Sequence, residues 1–182
     1  MITNAGLAPL NNKEAVIVSN LSEGEYTAIL SGSQNGTGLA LEEIYDINEG
    51  NGLKTANLSA RAMVAPGASA LISGMIIEGS ADKRTLIRGL GPSLAGAVSD
   101  PLPDPQLMAF DANGTLIETN DSWMDSPEAA DIMNSGVAPT DPSEAVIDRV
   151  FAPGSYTVVL TGNGPDQSGT ALIEAYGRNT SD

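Results

Sequence analysis

Carboxylates are the main side chains here that could do chemistry, and they are concentrated. Residues 89–148 hold eleven Asp and Glu and no Lys or Arg, whereas residues 54–88 carry five basic residues beside only Glu78 and Asp82. Within the acidic stretch, Asp100, Asp104, Asp111, Asn113, Asn120, Asp121 and Asp125 all fall at turn positions between apolar runs. Clustered oxygen ligands without nitrogen or sulfur suit a hard cation, Ca²⁺ ahead of Mg²⁺. Asp111, Asp121 and Asp125 are the ligands expected to hold Ca²⁺. The competing reading is that these Asp and Asn simply close turns and keep the surface soluble. Asp111-Ala-Asn-Gly opens like an EF-hand loop, but the later ligands do not follow, so it reads as a hairpin turn.

Other chemistry is limited by what is missing. The 182 residues include no His and no Cys. A Ser-His-Asp triad, a thiolate nucleophile, a disulfide framework and a standard zinc site are therefore all ruled out. A glycosidase working with two carboxylates is the enzymatic reading left. The single Trp and four Tyr do not mark out an aromatic cleft for it, so the chain is expected to be non-catalytic. Arg88-Gly-Leu-Gly-Pro-Ser-Leu suggests a phosphate loop, yet lacks the G-x-x-x-x-G-K-[ST] pattern; its glycines read as a sharp turn at a strand end, with Arg88 paired to a carboxylate. Ser93 lacks the nucleophile-elbow spacing and is a turn residue. Trp123 could stack on a sugar, but a sole Trp more often plugs a core. Tyr26 and Tyr156 each follow a turn glycine by two residues and read as corner residues whose hydroxyls bond nearby backbone. The sequons at Asn20, Asn35, Asn57, Asn113, Asn120 and Asn179 are incidental in such an Asn- and Ser/Thr-rich chain. A formal charge of −15 disfavours nucleic acid and anionic membrane surfaces as partners. No apolar run is long enough to span a bilayer, and the N-terminus shows no signal-peptide pattern.

The elements that must position these residues come from an internal repeat. Residues 2–17, ITNAGLAPLNNKEAVI, match residues 132–147, IMNSGVAPTDPSEAVI, at an offset of 130. The match continues through Ser22–Gly32 against Ala152–Gly162, and after one inserted residue through Gly38–Tyr45 against Gly169–Tyr176. Three parts follow: a partial copy at 1–48, a linker at 49–54 and a complete repeat at 55–178. Met1 falls at the position of Asp131, inside a predicted helix, which suggests a cut tandem array. In the complete repeat, apolar alternation and β-branched runs predict strands near 55–64, 69–77, 84–89, 106–110, 115–119, 144–150, 155–161 and 169–177. Asn113-Gly114 is the strongest hairpin signal. One helix is expected at 127–134, with Ser126 as N-cap, Pro127 in its first turn and Gly136 as its stop. The partial copy predicts three further strands at 14–19, 25–31 and 39–46. The expected fold is all-β: a jelly-roll-like antiparallel sandwich with one short helix, plus a three-stranded partial copy.

The run Gln106-Leu-Met-Ala-Phe-Asp-Ala-Asn-Gly-Thr-Leu-Ile-Glu-Thr-Asn-Asp-Ser-Trp123, followed by Phe151-Ala-Pro-Gly-Ser-Tyr-Thr-Val-Val-Leu-Thr-Gly162, resembles the bacterial pre-peptidase C-terminal domain. Thr85–Leu94, Asp104-Pro-Gln-Leu, Asn120-Asp-Ser-Trp123 and Gly169–Tyr176 look closer still to a repeat of about 130 residues in large secreted bacterial surface proteins. The resemblance implies a secreted, non-catalytic module. Together with the repeat, the acidic surface and the missing catalytic residue types, it leads to the expectation of a structural or adhesive module whose partners are other copies of itself or neighbouring repeats, joined head to tail into a stalk or filament by the basic 54–88 and acidic 89–148 stretches. A carbohydrate- or protein-binding accessory module of a secreted enzyme is the alternative. Solvent-exposed aromatics would mark it.

Overall fold

The computed structural model describes residues 6–46, 57–67 and 69–178. The expected linker at 49–54, the first two residues of the strand expected at 55–64, and the Asn179 sequon lie outside them. The chain divides into two units, Met1–Thr55 and Ala56–Asp182.

The second unit is built from strands that bury one face each, with turns where Gly, Pro, Asn and Asp interrupt the apolar pattern. In chain order they are β1 (Asn57–Val64), β2 (Leu71–Ile77), β3 (Lys83–Leu90), β4 (Pro105–Phe110), β5 (Leu116–Asn120), β6 (Ala145–Phe151), β7 (Gly154–Gly162) and β8 (Gly169–Arg178). All eight stand where the sequence pattern puts them. They form two four-stranded antiparallel sheets, ordered β1-β8-β3-β6 and β2-β7-β4-β5. Eight strands in this interleaved order make a jelly roll. The sheets enclose a core that includes Ile87, Leu107, Ile147, Phe151, Val158, Leu160 and Ile173. Phe151 and Tyr156 meet edge to face in it, ring centroids 4.8 Å apart.

A second apolar cluster lies on the outer face of the first sheet. Leu86 and Val146 point away from the main core and pack with Trp123 and Ile132. This is why β3 and β6 hold consecutive buried residues instead of alternating ones: both faces are covered. The cover comes from residues 123–138, which contain a 3₁₀ turn at Trp123–Asp125 and the helix α1 (Ala129–Asn134). The helix starts later than expected. Ser126 is not its cap; the Ser126 hydroxyl instead accepts from the Glu128 amide and donates to the Glu128 carboxylate, so 126–128 is a turn and Glu128 takes the cap position without a side-chain capping hydrogen bond to the helix. Gly136, at φ +77°, ends the segment in a left-handed conformation that favours glycine.

The first unit departs from expectation. None of the strands expected at 14–19, 25–31 and 39–46 is formed among the described residues 6–46, whose one helical element is the three-residue 3₁₀ turn at Ser33–Asn35. Topology supplies the reason. In the jelly roll, β6 pairs with β3, β7 with β2 and β4, and β8 with β1 and β3. The last three strands never pair with one another. A copy of those three alone has no ladder to form.

Candidate functional site

Two features could carry function: the charged outer face of the first sheet, and the repeated segment 6–46.

The outer face is set by register. Arg84, Leu86 and Arg88 alternate along β3 and point the same way. Opposite them on β8 lie Arg178, Tyr176 and Glu174, and Asp148 of β6 stands opposite Leu86. Arg88 and Glu174 are thus a direct cross-strand pair, Nε to Oε2 at 2.5 Å. The remaining Arg88 nitrogens reach the Val137 carbonyl at 2.7 Å and the Tyr176 hydroxyl at 3.0 Å. Tyr176 donates to Glu174 at 3.2 Å, and burial followed by the Glu174 charge pushes its phenol up from the usual value. Arg84 and Arg178 are like charges placed directly across the ladder, which by itself is unfavourable. Asp148 resolves it. Its fully buried carboxylate accepts from Arg84 Nε at 3.1 Å and Nη2 at 3.0 Å, and also from Arg178 Nη1. Arg84 extends to Asp131 on α1 at 2.7 Å, tying the helix to the sheet. The Asp131 and Asp148 carboxylates raise the Arg84 guanidinium above its ordinary value, and Arg84 in turn holds the Asp131 carboxyl low.

The glycine-rich run after β3 already holds an anion, one supplied by the chain. Glu144 is fully buried; its Oε1 accepts the amides of Gly91 at 3.1 Å and Ser93 at 2.8 Å, and its Oε2 accepts the Ser93 hydroxyl at 2.5 Å. Where a phosphate loop would cradle a ligand, this loop cradles a side chain. Gly91 is required by close approach: a Cβ there would lie 2.0 Å from the Leu102 carbonyl oxygen. Asn120-Asp-Ser-Trp123 is a structural clamp. The Asn120 side chain accepts the Val146 amide at 2.8 Å, and buried Trp123 donates Nε1–H to the Asp141 carbonyl at 3.0 Å. Trp123 is therefore a plug, and its ring is not offered to a sugar.

The expected calcium ligands lie in three successive turns and bends. Asp111 lies in the β4–β5 turn, where Oδ1 accepts the amides of Asn113 and Thr115, each at 2.8 Å. Those backbone donors, Thr115 first, hold its carboxyl below the usual range. Asp121 sits in the bend after β5 and Asp125 ends the 3₁₀ turn. Among the described residues, no group of three or more acidic side chains converges on a place for a metal ion.

The second feature is the segment 6–46, which reproduces the local geometry of 136–176 without its ladders. Gly6 and Gly136 have φ +71° and +77°. Lys13 N donates to Asn11 Oδ1 at 3.0 Å as Ser143 N does to Asp141 Oδ1 at 2.9 Å. The Glu14 amide reaches the Asn11 carbonyl at 3.1 Å, matching Glu144 and Asp141 at 3.3 Å. Tyr26 donates to the Ser22 carbonyl at 3.0 Å, the counterpart of Tyr156 and Ala152 at 2.9 Å. Tyr45 donates to Glu43 at 3.0 Å as Tyr176 does to Glu174, and Glu43 pushes the Tyr45 phenol up. Tyr26 and Tyr156 thus form the expected corners. Every described residue of this unit except Leu7 is exposed, including Ile17 at 86%, Ile29 at 87% and Leu39 at 94%.

No family model matches the chain, and a search of curated proteins returns no match. Among the described residues, no helix is long and apolar enough to cross a membrane.

Proposed function

We propose that the chain is a non-catalytic repeat module of an extracellular surface protein, joined to neighbouring repeats head to tail in a stalk or filament. Residues 6–46 serve as the connector, adding their strands to a neighbouring sandwich. The observation that carries this reading is the pairing of native-like local geometry in 6–46 with exposed Ile17, Ile29 and Leu39 and with no strand assigned among its described residues. A segment with corners and turns already set needs only ladder partners, and strand addition supplies them. Addition of this kind is directional and non-closing, which builds an open array instead of a closed dimer. Support for a structural role comes also from the buried carboxylates Glu144, Asp148 and Glu174, each of which is engaged by named donors of the fold. The test removes residues 1–48 and compares mass in solution and binding of a hydrophobic dye. The whole chain is expected to bind dye and to stay monomeric, because β1–β4 of an identical copy already pair with its own β6–β8; the shortened one is expected to bind none and to melt at the same temperature. Two monodisperse monomers with equal dye binding would refute the connector.

A further inference from the structure

The segment 6–46 is not interchangeable with the β6–β8 set it copies, and the differences identify its acceptor. Resting on the connector reading above, we infer that residues 6–46 are keyed to a neighbouring repeat whose first five strands differ from this chain's own β1–β5 at two defined places, and that they reject β1–β5 of an identical copy.

Three positions carry the argument. With the offset of 130, Val18 stands where Asp148 stands, and with 131 beyond Gly38, Ile47 aligns with Arg178. Asp148 is the fully buried carboxylate that neutralises Arg84 and Arg178. Seated on this chain's own β3, the segment would set Arg84 against two apolar side chains, its buried counter-charge gone. A guanidinium in such a site is strongly unfavourable. The acceptor for 6–46 therefore carries an uncharged side chain in Arg84's place. The third position is Glu42, which aligns with Ile173, a side chain 3% exposed in the core between the sheets. The acceptor must offer Glu42 a cation or hydrogen-bond donor, where β1–β5 offer an apolar wall. The contacts to Arg88 and to the glycine-rich loop are retained. Glu43 and Tyr45 keep the geometry that grips Arg88, and Glu14 keeps the position from which Glu144 holds the Gly91–Ser93 loop. The acceptor thus has an Arg and a Gly-Pro-Ser loop like those here. Shared contacts give the fold and the altered ones give the address, which is how a repeat avoids exchanging strands with copies of itself.

The experiment uses the whole chain with a second copy of residues 53–130 placed ahead of Met1, so that 6–46 is offered this chain's own β1–β5. A second version adds V18D, E42I and I47R. Hydrogen exchange of the amides in 15–21, 24–32 and 38–46 is the readout. In the unaltered version these amides are expected to stay unprotected. In the reverted version they are expected to gain protection of about a hundredfold or more, alongside a second melting transition. Equal protection in both versions would overturn the keyed acceptor and leave strand addition standing. No protection in the reverted version would overturn both, because that segment then restores the residues changed at 18, 42 and 47.

Discussion

Replacing Asp148 with Asn tests the physics of the charged face. The substitution keeps size and shape but removes the charge that separates two guanidiniums across the β3–β8 ladder. Breaking a buried pair by removing one partner costs about 3–5 kcal/mol. Arg84 and Arg178 retain 17% and 13% side-chain exposure, so water partly compensates and the lower end, about 3 kcal/mol, is expected. For a unit the size of Ala56–Asp182, unfolding entropy is about 0.27 kcal/mol per kelvin, which puts the fall in Tm at about 11 °C. The assay is thermal unfolding followed by circular dichroism. The companion variant R84L/D148V/R178I removes all three charges and puts apolar side chains in their place, the residue types the sequence has at 18 and 47. It is expected to lie within about 1 kcal/mol of the parent or above it, since an apolar replacement also removes the desolvation penalty. If D148N melts with the parent, the network contributes nothing. If the triple variant falls as far as D148N, lost packing and not uncompensated charge explains the loss.

The other predictions are narrower. Gly91→Ala is expected to cost more than about 2 kcal/mol, because the Leu102 backbone must move to admit a Cβ and the Glu144 contact goes with it; an unchanged melting curve would show that the loop can shift freely. Asp111, Asp131 and Asp141 are held below the ordinary carboxyl value by Thr115 and Asn113 amides, by Arg84 and by Ser143 respectively. Their folded pKa values lie under their unfolded ones, so their stabilisation is present above about pH 4 and is lost as pH falls below it; D111N/D141N is expected to flatten the acid limb of a Tm–pH curve. Melting in chelator and in millimolar calcium is expected to coincide, since Asp111 already accepts two backbone amides; a rise in Tm that D121N abolishes would make these turns ligands after all.

Much of this protein is determined by sequence alone because the signals are local. Alternating and β-branched runs placed all eight strands, and the turn at Asn113-Gly114 formed with Gly114 at φ +77°. The offset of 130 residues was legible as identity, and the corners at Tyr26 and Tyr156 form because each hydroxyl reaches only four residues back. Interactions spanning two to four residues need no partner strand, which is why the partial copy keeps them. Sheet membership is different, since hydrogen-bond partners far apart in sequence decide it. Strand signals at 14–19, 25–31 and 39–46 are as apolar as those that do form strands, yet their ladders require the counterparts of β1–β4. The same holds for the charges. Sequence showed Arg88 beside a glycine-rich turn and a block of acids after it, but only the interleaved strand order brings Glu174 across from Arg88, sets Asp148 between Arg84 and Arg178, and drops Glu144 into the Gly91–Ser93 loop. These pairs are separated by 51 to 86 residues where a glutamate is involved, a distance over which no periodicity carries information. Topology decided them because a jelly roll places neighbours in the sheet far from neighbours in the chain.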